Sequence, residues 1–125
     1  MDLPENTRKE LAKVAADVGV NTSRMHIFLC TSGTCASKEN GESAWDALKR
    51  ELKKRSPELS KAHIYRTKAD CLRMCMGGPI AVVYPQGKWF QGVTADQVPG
   101  LVEYLESGST EPHPLQFVER KLTQD

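Results

Sequence analysis

Two hydrophobic periods alternate along the chain. Leu11, Val14, Ala15 and Val18 recur at helical spacing and predict one amphipathic helix over residues 1–20. Thr7 and Glu10 stand at capping-box spacing, and Gly19 is placed to end that helix. The run Met25-His26-Ile27-Phe28-Leu29 predicts a strand over residues 24–29 that arrives at Cys30. Ala44, Trp45, Leu48 and Leu52 form the stripe of a second helix, residues 42–55, which Ser56-Pro57 closes. A short strand is expected at residues 62–66. The clearest β signal is Ile80-Ala81-Val82-Val83-Tyr84; Pro85-Gln86-Gly87 turns the chain, and residues 88–93 return as the antiparallel partner. Val98, Leu101, Val102 and Leu105 give the stripe of a last helix over residues 94–107, in which Pro99 predicts a bend or restart near Val98. Beyond Gly108 come a Pro-containing linker and a weakly amphipathic tail.

The order helix, strand, helix, strand, hairpin, helix belongs to the α/β class and predicts a thioredoxin-like sandwich of about four strands with flanking helices. It divides the chain into an N-terminal helix (1–23), the sandwich domain (24–107) and a C-terminal tail (108–125). With 125 residues, the chain is long enough to bury roughly two thirds of its unfolded surface, so it needs no disulfide or metal merely to fold. Seventeen Lys and Arg against sixteen Asp and Glu leave a net charge of +1, so no global field marks a nucleic-acid binder. No apolar run approaches the ~18 residues of a membrane span, and the first residues lack a signal-peptide core. A cytoplasmic location is therefore expected. Lys49, Arg50, Lys53, Lys54 and Arg55 crowd the end of the second helix, where cations complement the helix dipole and Asp46 and Glu51 interleave. A surface for an acidic partner protein is the functional alternative at that place.

Four cysteines are the anomaly in a chain expected to meet reducing conditions. Cys30-x4-Cys35 and Cys71-x3-Cys75 each sit in a loop that follows a predicted strand, on the same side of the sheet, so all four can converge at one end of the domain. Structural disulfides are disfavoured by the compartment and by the size of the core. A thiol-disulfide oxidoreductase wants Cys-x-x-Cys at the head of a helix, a spacing neither pair has. A four-Cys zinc domain and a [2Fe–2S] cluster both suit four thiolates, and ligand softness does not choose between them. A cluster on four thiolates is anionic and needs backbone N–H groups aimed at its sulfurs. Gly33, Gly77 and Gly78 permit that close approach, and Leu72, Met74 and Met76 are expected to wall off water.

The stretch Cys71-Leu72-Arg73-Met74-Cys75-Met76-Gly77-Gly78-Pro79, followed by Ile80-Ala81-Val82-Val83-Tyr84-Pro85-Gln86-Gly87-Lys88-Trp89-Phe90, resembles the thioredoxin-like [2Fe–2S] ferredoxins. In that family a Cys-x3-Cys run and a Gly-Pro pair lead into such a hairpin. His26-Ile27-Phe28-Leu29-Cys30 is similar to the family's first strand and first ligand, and the resemblance covers about residues 24–106. It implies a one-electron carrier rather than an enzyme, with a [2Fe–2S] cluster on Cys30, Cys35, Cys71 and Cys75. It also implies redox partner proteins as donor and acceptor, and a homodimer; neither nucleic acid nor membrane is expected as a partner. The x4 spacing of Cys30 and Cys35 is similar to the [2Fe–2S] subunit of NADH dehydrogenases and NAD-reducing hydrogenases, the alternative reading. Those subunits carry a longer helical N-terminal region and a hairpin less like residues 80–90, so a free-standing ferredoxin is the reading favoured.

Arg73, between two of these ligands, is expected to raise the reduction potential, with Lys68 and Lys38 as helpers. Trp89 and Phe90 alternate on a strand, so one is expected in the core and the other toward solvent or a dimer partner. His26 and His63 are expected as packed or surface residues, and His113 belongs to the tail.

Overall fold

The structure, a computed structural model, describes residues 4–31, 37–74 and 76–122. Helix α1 (Glu5–Asp17) begins two residues ahead of Thr7, with Pro4 in the N-cap position, so the expected Thr7–Glu10 capping box does not form. Pro4 at φ −58° already sets the backbone for a helix, and Glu5 meets the positive helix end. No residue of α1 is buried; Leu11 and Val14 remain 60% and 52% exposed.

Strand β1 (Met25–Cys30) is followed by α2 (Lys38–Arg55), which starts a full turn before the apolar stripe does. Ser37 caps it, its hydroxyl accepting the Asn40 N–H at 3.0 Å. The early turn holds Gly41, a poor helix former, yet packing requires glycine there: a Cβ would stand 2.8 Å from Thr31 Cα. A 3-10 turn (Leu59–Lys61) leads into β2 (Ile64–Ala69), longer and later than residues 62–66, because β2 runs in parallel register with β1 from Met25↔Ile64 to Cys30↔Ala69. Strands β3 (Ala81–Tyr84) and β4 (Lys88–Phe90) make the expected hairpin, with β3 antiparallel to β1. The Gly78–Pro79 and Tyr84–Pro85 bonds are cis. The last helix does restart at Val98: a 3-10 turn (Ala95–Gln97) precedes α3 (Val98–Ser107), with Pro99 in its first turn and Gly108 in the left-handed cap.

The sheet has one strand more than expected. Gln116–Glu119, placed by the sequence pattern in a tail, forms β5 and pairs antiparallel with β4, giving the order β2-β1-β3-β4-β5. Contacts far apart in sequence hold the segments on either side of it. Lys88, the one buried charged residue among those described, donates to Tyr104 Oη at 2.8 Å and to the Ser109 carbonyl at 3.3 Å. Tyr104 donates in turn to the Glu111 carbonyl, and Arg120 N–H reaches the Gly87 carbonyl at 2.7 Å. Gly87, at φ +71°, admits that approach only because it has no Cβ.

One face of the sheet is closed by α2 and α3. Ile27, Leu29, Ala81, Val83 and Phe90 pack there with Leu48, Leu52, Leu101 and Val102. The opposite face presents His26, Phe28, Tyr65, Tyr84 and Trp89, all half-buried.

Candidate metal centre

Parallel pairing of β1 and β2 puts the ends of both strands side by side, and antiparallel pairing puts the start of β3 between them and the hairpin. Cys30 is the last residue of β1 and is fully buried. Its N–H donates to the Ile80 carbonyl at 2.8 Å and its Sγ to the Asp70 carbonyl at 3.5 Å. Ile80 packs on it, with Leu72 and Trp89 alongside. Thr31 continues the ladder, its N–H donating to the Ala69 carbonyl, and the first turn of α2 lies against Thr31 through Gly41.

Cys71 lies two residues beyond β2 and is exposed. Its Sγ accepts the Arg73 N–H at 3.2 Å. That contact exists because Arg73 stands at φ +67°, the one non-glycine residue in the left-handed region among those described. An L residue there costs roughly 1–2 kcal/mol. The role expected of Arg73 lies with its guanidinium, but the backbone N–H makes the contact and the side chain is exposed. No pattern in the sequence marks an arginine for a left-handed turn. Lys68 and Lys38 are exposed and make no contact with either sulfur among the described residues.

The expected apolar wall is only partly present. Leu72 packs on the Cys30–Ile80 group, whereas Met74 and Met76 are 38% and 74% exposed. The left-handed turns at Arg73 and Gly77 swing the methionines outward, where they line a hollow with Ile80, Gln91 and Phe117. Phe117 contributes from β5, a segment expected as tail. Gly77 also braces the loop, its carbonyl accepting the Gly92 N–H at 2.7 Å. Gly33, Cys35 and Cys75 lie outside the described residues.

The histidines take other roles. His26 Nε2 is 2.6 Å from Thr67 Oγ1, and its ring stacks on Phe28. His63 is exposed near Glu106, and His113 packs edge-on against Tyr104 and Phe90. Burial holds His26 and His113 below the usual histidine pKa.

A strand-end thiol and a loop thiol brought to one end, one of them receiving a backbone N–H, match the demands of a thiolate-bound metal group. Over 92 residues the chain is 39% identical to a 2Fe-2S ferredoxin of Clostridium pasteurianum, spanning 66% of this chain and 86% of that protein. The chain belongs to the [2Fe–2S] ferredoxins. A 2Fe-2S ferredoxin of Aquifex aeolicus is 30% identical over 92 residues, covering 66% of this chain and 80% of that one. The fold agrees. A solved thioredoxin-like [2Fe–2S] ferredoxin from Aquifex aeolicus superposes with a TM-score of 0.67 at 24% identity, covering 79% of this chain and 94% of its own. A wild-type structure of a thioredoxin-like [2Fe–2S] ferredoxin from the same organism gives 0.58 at 29% identity, covering 70% and 90%. No protein-family model matches the chain. The ferredoxin is thus an electron carrier with a [2Fe–2S] cluster on a thioredoxin-like frame. No helix among its described residues is long and apolar enough to cross a membrane.

Proposed function

We propose that Cys30, Cys35, Cys71 and Cys75 hold the [2Fe–2S] cluster, and that the chain is a free-standing, cytoplasmic, homodimeric carrier passing single electrons between redox proteins, with no catalysis of its own. The observation that supports Cys30 and Cys71 is their placement at the paired ends of β1 and β2, with Cys30 Sγ donating to the carbonyl of Asp70, the neighbour of Cys71; Cys35 and Cys75 rest on the family resemblance. When bound, the cluster supplies the one-electron couple; the chain sets its surroundings. The Arg73 N–H at Cys71 Sγ stabilises negative charge on that sulfur and so favours the reduced form. Leu72, Ile80 and Trp89 keep water from Cys30, which favours the oxidised form. The two cysteines thus pull the potential in opposite directions.

The half-buried aromatic face of the sheet supports the homodimer, since it offers apolar area that no buried helix residue of α1 covers. Sedimentation should give twice the 13.9 kDa chain mass, and a monomer at micromolar concentration overturns the dimer alone. The x4 spacing of Cys30 and Cys35 favours a second reading, a [2Fe–2S] subunit of a larger redox complex. Relatives named as ferredoxins along most of their length favour the free-standing form.

Protein purified without oxygen should be red-brown, with iron and acid-labile sulfide in equal amounts. Stoichiometric zinc without sulfide would sink the cluster, and reduction of insulin disulfides would point to thiol-disulfide exchange instead. Changing each of the four cysteines to serine should alter or abolish the visible and paramagnetic signals; a normal spectrum after any one change removes that cysteine from the set.

A further inference from the structure

Charge is unevenly spread in this nearly neutral protein. Residues 49–66 carry seven Lys and Arg against two Asp and Glu, in a chain whose net charge is +1. Local pairing consumes part of that excess: Arg55 binds Glu51 and Glu103, Lys61 binds Glu58, and Lys49 meets Asp46 at 3.5 Å. Arg50, Lys53 and Arg66 have no ion pair among the described residues. These three, with Lys49, Pro57 and Leu59, line one hollow of about 450 Å³ between the end of α2 and β2.

Helix-dipole complementation accounts for cations at the end of α2, but it does not account for Arg66, which comes from a strand. Its guanidinium lies over the Trp45 ring at 5.7 Å, and its Nε is buried without a hydrogen-bond partner. Arg66 is half-buried and lines the hollow, so its charge adds to that of Lys49, Arg50 and Lys53 at one place. The floor is apolar as well: Leu59 is 43% exposed and Pro57 is exposed.

We propose that this hollow docks an acidic segment of a protein partner, one that carries carboxylates beside an apolar side chain. Lys49 and Lys53 stand four residues apart on α2, about 6 Å along its axis. Carboxylates at the same interval on a helical segment match that pair, while the apolar side chain covers Leu59 and Pro57. Nucleic acid fits less well, because no aromatic ring among the described residues lines this hollow to stack on a base. The surface rests on the carrier reading only in so far as the partner is a redox protein.

The test is a titration of the isotope-labelled holoprotein with a helical peptide bearing Glu at i and i+4 beside one Leu, against a control with Gln for Glu. Shifts should be confined to residues 49–66. Binding should weaken roughly tenfold in the Arg50→Glu/Lys53→Glu variant, the size of ~1.4 kcal/mol, and weaken again at high salt. Arg66→Gln, with a neutral side chain that keeps hydrogen-bond donors, should weaken it less. Absent binding at low salt, equal binding of the Gln control, shifts elsewhere, or a short DNA duplex binding more tightly than the peptide overturns the proposal. The variant's visible spectrum should match that of the parent. A chain without iron and sulfide that still bound the peptide would overturn the carrier reading and leave this surface standing.

Discussion

Phe90 and Trp89 are chain neighbours on β4 with opposite surroundings. Phe90 is fully buried against the helix-covered core and meets Tyr104 of α3 edge-on. Trp89 points the other way, half-buried beside Phe117, at the margin of the group that holds Cys30. The inner face is closed by aliphatic side chains from two helices, so its residues act mainly through packing. The outer face keeps aromatic rings with polar atoms, such as His26 bound to Thr67, and runs into the cysteine end. Leu72 and Trp89, which pack beside Cys30, are therefore also residues that a second protein can touch.

The sharpest way to break this contrast is a pair of truncations. Phe90→Ala should lower the unfolding free energy by about 3–5 kcal/mol, as a buried aromatic does. Trp89→Ala should cost about 1–2 kcal/mol, since part of its surface stays exposed in the fold. Chemical denaturation followed by circular dichroism compares them, and equal losses would erase the distinction between the faces.

Gly87→Ala tests the edge of the sheet. Its Cβ would overlap the Arg120 carbonyl, and φ +71° disfavours any side chain. A loss of about 2 kcal/mol, with faster amide exchange in residues 116–119, is expected. Unchanged exchange would show that Lys88 and Tyr104 hold β5 without the turn.

Arg73→Gly sharpens the account of the cysteine loop. Glycine relieves the left-handed strain and keeps the N–H at Cys71, so stability should rise by about 1 kcal/mol with the potential nearly unchanged. Arg73→Ala keeps the N–H as well and should lower the potential only slightly, because the guanidinium is solvent-screened. A large drop in redox titration of either variant would return the tuning role to the side chain.

The smallest effect concerns pH. Burial lowers the pKa of His26 in the folded state, so the unfolded chain binds the proton more readily. The contribution of neutral His26 is present above pH ~6.5 and is lost as pH falls from there through the folded pKa. His113 shifts in the same direction, so the difference between the parent and His26→Gln isolates the outer face. An identical pH profile would show that His26 is not desolvated.

Periodicity determined most of the elements, since apolar stripes and alternation follow directly from 3.6- and 2-residue repeats. It also put Cys30 at a strand end and Cys71 just past another, and the restart at Val98 followed from the fixed geometry of Pro99. Tertiary contacts decided the rest. The early turn of α2 depends on Gly41 lying against Thr31, a contact invisible to helix propensity. Strand β5 carries no strong signal of its own; the open edge of β4 and the Lys88–Tyr104 pair make Gln116–Glu119 a strand. The donor at Cys71 comes from an arginine in a glycine-like conformation, which local sequence preference argues against. Local patterns encode which surface a segment buries, whereas the partner it meets depends on chain closures across the whole fold.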